Sequence, residues 1–144
     1  MDALLPHEMT HLIFRDYVGF TGEIPLWLDE GVAQWMEPRK RELVKTAVAR
    51  IAQQGKLLSV AQMMSLDIRT NEDSGFVEAY YVQAVSLISF LVTKYGPTKF
   101  ANFCRQLRDG KSVEEALIFA YPTSVRSLEE LEGKWVQYVK GGTE

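Results

Sequence analysis

The chain has 144 residues, 47% of them hydrophobic and 24% charged, with a formal net charge of −3. This length sets one domain, residues 1–144, as the expectation, and this hydrophobic content supplies a core and excludes a disordered chain. The mild negative charge argues against a nucleic-acid partner, the single cysteine, Cys104, excludes an internal disulfide, and no apolar run approaches the roughly 18 residues that span a bilayer.

Leu4 to about Tyr17 reads as a helix, with Leu5, Met9, Leu12, Ile13 and Phe14 supplying apolar contact. It carries His7-Glu8-Met9-Thr10-His11, and these are the only two histidines in the chain. Four residues apart on a helix, two imidazoles stand about 6 Å apart along the axis, on one face. So placed, they can grip one Zn²⁺ through bonds of about 2.0–2.1 Å. Glu8, one step round the helix, reaches toward the open side of the metal, where a general base for the attacking water belongs. Val18–Ile24, with Gly19 and Gly22, reads as a turn that folds the next helix back onto the first.

That next helix is expected over Pro25–Glu37, with proline in the first turn, where its missing N–H goes unneeded. Trp27, Leu28, Val32, Trp35 and Met36 make it apolar nearly all round, which points to burial. Glu30 follows His11 after an eighteen-residue gap, positions 12 to 29. It offers a third zinc ligand, the number a catalytic site uses before leaving the fourth place to water. Asp29 and Gln34 are candidates for hydrogen bonds to a ligand imidazole, or else satisfy local backbone and water.

Pro38 breaks the chain. Arg39–Gln54 reads as a helix with a partly apolar stripe of Leu43, Ala47, Arg50, Ile51 and Gln54. Its basic residues, Arg39, Lys40, Arg41, Lys45 and Arg50, read as a solvated face. Gly55 ends it as a C′ residue. Ser59 and Gln62 form a capping-box pattern opening a short helix through Met63 and Met64, which read as core. Arg69–Gly75 is a polar loop. Phe76–Tyr95 is the longest expected helix, with a stripe of Phe76, Tyr80, Ala84, Leu87, Ile88, Leu91 and Tyr95. Gly96-Pro97 stops it.

Thr98–Arg108 turns Phe100, Phe103, Cys104 and Leu107 inward, which makes Cys104 a buried thiol and not a nucleophile. Gly110 closes that helix. Ser112 with Glu115 opens a helix with Val113, Ala116, Leu117 and Ala120 inward, and Pro122 ends it. Ser127 with Glu130 opens the last helix, lined by Leu128, Leu131, Trp135 and Tyr138.

H-E-x-x-H, eighteen residues, then E inside W-L-x-E-G-x-A resembles the gluzincin zinc metallopeptidases, and most closely their peptidase MA-like domains. Ala79-Tyr80-Tyr81-Val82-Gln83-Ala84 is similar to the tyrosine helix of that family, and the tail G-x-S-x-E-E-A-L then S-L-E-E-L-E-x-x-W is similar to its C-terminal helices. The resemblance implies a mainly α, zincin-like helical catalytic subdomain that hydrolyses peptide bonds. It implies one Zn²⁺ held by His7, His11 and Glu30, Glu8 as base, and Tyr81 as hydrogen-bond donor to the oxyanion, with Tyr80 as the fallback. The partner it implies is a peptide or protein substrate.

The family's N-terminal β-sheet has no room ahead of residue 7. The chain is therefore expected to lack most or all of that sheet and to be the C-terminal part of a longer catalytic domain, with an upstream sheet or domain. Met1–Pro6 is too short for a signal peptide, and the sequence assigns no compartment. A non-catalytic zinc-binding helical module or interaction domain of a larger protein is the alternative reading.

Overall fold

The computed structural model describes residues 26–65 and 74–141, and 81% of these are helical, with no strand among them. The helices are α1 (Leu26–Trp35), α2 (Pro38–Gln53), α3 (Val60–Ser65), α4 (Ser74–Tyr95), α5 (Pro97–Arg108), α6 (Val113–Ala120) and α7 (Leu128–Gly141). The mainly α expectation holds. The helix expected over Leu4–Tyr17 and most of the Arg69–Gly75 loop lie outside the described residues.

The organising element is α4. Gln83 through Ile88 are buried at six consecutive positions, as are Tyr80, Phe90 and Leu91. A helix apolar on every side belongs at a centre, and α1, α2, α5 and α7 all pack on this one. The expected stripe from Tyr80 to Leu91 is buried, but the helix has no solvent face opposite it along this stretch. Gly75–Tyr95 is also long and apolar enough to cross a bilayer, which corrects the expectation that no segment is. Here it serves as a core helix.

Two polar side chains are buried in α4, and each is hydrogen-bonded, as burial requires. Gln83 Oε1 accepts from the Leu58 N–H at 2.8 Å, and its Nε2 donates to the Leu58 carbonyl at 3.1 Å and faces Met63 Sδ at 3.3 Å. This clamps the strap between α2 and α3 onto the central helix. Ser86 Oγ accepts from the indole N–H of Trp135, at 2.9 Å, which holds α7 to α4.

Local signals set most helix ends. Gly55 and Gly110 adopt φ of +70° and +88°, and the N–H groups of Lys56 and Lys111 bond back to the carbonyls of Ile51 and Gln106. Only glycine takes that left-handed conformation cheaply, so both helices close in the expected way. The Ser59–Gln62 and Ser112–Glu115 boxes form with both reciprocal bonds. The third box forms by half. Ser127 Oγ accepts from Glu130 N–H, but the Glu130 carboxylate accepts from Arg126 N–H at 2.8 Å instead of from Ser127.

Three expectations about faces are corrected. In α2 the buried positions are Val44, Val48 and Ala52, while Leu43 is 65% exposed. The inward face is rotated by about one residue, because α4 and α7 meet the valine ridge. Met36, expected inside, is 51% exposed because it stands just past the end of α1. In α4 Phe76 and Tyr95 are only half-buried at the two ends of the stripe.

Beneath α5 an aromatic seam runs from Trp27 through Phe103 and Tyr121 to Tyr95, Phe90 and Tyr138, with neighbouring ring centroids 5.2–6.4 Å apart. Such tilted pairs add about 0.5–1.5 kcal/mol each beyond area burial. Cys104 is fully buried beside this seam, and burial pushes its thiol well above the usual range. It is the inert core thiol the sequence suggests.

Candidate metal centre

Of the five residues singled out by the motif and the tyrosine helix, the described structure holds Glu30 and Tyr81. His7, Glu8 and His11 lie outside the described residues. Among the described residues no three His, Cys, Asp or Glu side chains cluster as a metal site.

Glu30 sits midway along α1. Around it Trp27, Leu28, Val32 and Ala33 are buried, and Glu30 itself is half-buried, with its Oε1 atom shielded from solvent. A glutamate carboxylate is an oxygen donor of the kind that zinc binds. The donor chemistry of Glu30 therefore fits a metal ligand. Asp29 and Gln34 flank it, both half-buried. One turn beyond, Trp35 carries the Arg41 guanidinium over its ring at 5.0 Å. That ion–ring contact ties the end of α1 to the start of α2.

The residue after Glu30 fixes how α1 lies on α4. Gly31 is buried, and a Cβ there would stand 3.0 Å from Ile88 Cγ1, 3.1 Å from the Ala84 carbonyl oxygen and 3.3 Å from its carbon. The two helices thus meet with α1 against the backbone of α4. The contact lies one turn beyond Tyr80 and Tyr81, so the glutamate helix and the tyrosine pair belong to one crossing.

Tyr80 and Tyr81 pack edge to face, with ring centroids 5.5 Å apart at 82°. Tyr80 is 1% exposed and belongs to the core, whereas Tyr81 is half-buried at its edge. Tyr81 is thus the more exposed residue of the two.

A groove of about 520 Å³ runs between the second half of α2 and the first two turns of α4, lined among others by Arg50, Gln54, Lys56, Phe76, Glu78 and Val82. Ala47 and Ile51 also line it, so most of the stripe expected to face the core is instead a groove wall. Its half-polar character was the signal. The tight crossing at Gly31 had a signal too, since a glycine inside a short helix costs about 1 kcal/mol relative to alanine.

Among the described residues, a helix bearing a half-buried carboxylate thus lies across a helix bearing an edge tyrosine in a helical frame. The family model described as the peptidase MA superfamily matches residues 2–141. The chain belongs to that superfamily, and the mainly helical architecture of its described residues, with no strand among them, fits the zincin-like assignment. No curated protein and no solved structure matches the chain.

Proposed function

We propose that the chain is a zinc-dependent metallopeptidase of the gluzincin kind, hydrolysing peptide bonds in a peptide or protein substrate. The observation that carries this reading is the H-E-x-x-H motif, followed after eighteen residues by Glu30, in a chain of the peptidase MA superfamily. The half-buried setting of Glu30 on a helix crossing the tyrosine helix supports it.

His7, His11 and Glu30 would hold the ion. When bound, zinc supplies Lewis acidity and brings the pKa of a water from 15.7 to about 7. The Glu8 carboxylate accepts the proton of the attacking water and passes it to the nitrogen of the leaving amine. The Tyr81 hydroxyl donates a hydrogen bond to the developing oxyanion. Loss of one such donor costs about 10²–10³ in rate. The greater exposure of Tyr81 supports it over Tyr80 for this role.

The test is zinc content together with peptide hydrolysis for the wild type, Glu8→Gln and His11→Ala. Glu8→Gln keeps zinc and loses turnover, and His11→Ala loses both. Full turnover by Glu8→Gln rules out the assigned base. Stoichiometric zinc in the wild type with no hydrolysis, even with upstream residues restored, makes the chain a non-catalytic zinc-binding module instead.

A further inference from the structure

We infer that Gly31 is a positioning residue for the Glu30 carboxylate: its missing side chain sets how close α1 lies to α4, and hence where Glu30 stands relative to the tyrosine helix. This rests on Glu30 being a zinc ligand. The crossing is backbone-close. A Cβ on Gly31 would meet Ile88 Cγ1 at 3.0 Å and the Ala84 carbonyl oxygen at 3.1 Å. Carbon atoms pack comfortably at about 3.5–4.0 Å, so an alanine here needs its neighbours on α4 to give by a few tenths of an ångström. The Ala84 oxygen is backbone and cannot swing aside.

Metal–ligand bonds tolerate only about 0.2 Å of error. A displacement of a few tenths of an ångström is comparable with that tolerance, and it moves the helix that carries Glu30. Glycine is a poor helix former, yet it sits buried in the middle of a ten-residue helix, directly after the ligand. The contrast within the molecule is Gly133 on α7, exposed and with nothing within 4 Å of its would-be Cβ. That position asks nothing of glycine.

The experiment compares the full chain as wild type, Glu30→Ala, Gly31→Ala and Gly133→Ala. The readouts are zinc affinity by chelator competition, the visible absorption of the Co²⁺-substituted protein, and helical circular dichroism. Gly31→Ala is expected to keep its helicity, bind zinc about 10-fold or more weakly, and show a changed Co²⁺ spectrum. Gly133→Ala should match the wild type in both metal readouts. A volume-conserving swap, Ile88→Leu, is mild enough to fold and moves the γ-branch that Gly31 meets, so it should weaken zinc several-fold even if Gly31→Ala does not fold. If Glu30→Ala abolishes zinc binding while Gly31→Ala and Ile88→Leu bind like the wild type with an unaltered Co²⁺ spectrum, positioning by Gly31 is wrong and the ligand assignment stands. If Glu30→Ala itself binds zinc like the wild type, the ligand assignment fails and this inference with it.

Discussion

Gln83→Leu removes the clamp between the central helix and the strap ahead of α3 while keeping the side-chain volume. In the wild type the amide satisfies both the N–H and the carbonyl of Leu58, at 2.8 and 3.1 Å. Leucine satisfies neither. An orphaned buried group costs about 1–3 kcal/mol. Leu58 is only half-buried, so water relieves part of the loss and the lower end of that range applies to each group. The added apolar burial of leucine offsets less than about 1 kcal/mol. The net expectation is a destabilisation of about 1–2 kcal/mol, which lowers Tm by roughly 2–8 °C in a chain of this size. Urea unfolding measures the first quantity, and hydrogen exchange at the Leu58 amide tests the cause directly, since that amide alone among strap residues should lose most of its protection. A variant as stable as the wild type, or one with full Leu58 protection, refutes the clamp.

Ser86→Ala leaves the Trp135 indole N–H buried without its acceptor, and should cost about 1–3 kcal/mol in chemical unfolding; a change under about 0.5 kcal/mol counts against that bond. The Tyr121 hydroxyl is buried with no hydrogen-bond partner among the described residues, so Tyr121→Phe should be neutral or stabilising by up to about 1 kcal/mol, and a clear loss of Tm would show a hidden partner. Burial raises the Cys104 thiol pKa in the folded state. The unfolded chain then releases the thiol proton first, above about pH 8.5, while the native state keeps it. This contribution to stability is complete below that pH and falls above it by up to about 1.4 kcal/mol per pH unit. Cys104→Ala should remove that component of the alkaline slope, and an unchanged slope would assign it elsewhere.

Features decided within a few residues were legible in the sequence. The Ser59 and Ser112 caps and the glycines at 55 and 110 depend on neighbours three to five positions away, and they fold as read. Faces were less legible. In α2 both Leu43–Ala47–Ile51 and Val44–Val48–Ala52 carry a helical repeat, and the choice between them belongs to α4, which is distant in sequence. Gln83 gave no local hint of its role, because its partner Leu58 lies 25 residues earlier. For the candidate site, the proposed ligand set rests on spacing alone. The helical stripe already put Tyr80 inward and left Tyr81 off it; what spacing could not supply was the close crossing at Gly31, which depends on how two helices lie against each other.

The last helix closes contacts across long stretches of chain. Glu132 accepts from Val60 N–H at 2.8 Å across 72 residues, and Trp135 reaches Ser86 across 49. A nascent chain that has not yet released Leu128–Gly141 from the ribosome therefore lacks the acceptor for the first turn of α3 and the plug over the middle of α4. Those two bonds can form only once synthesis has passed this point.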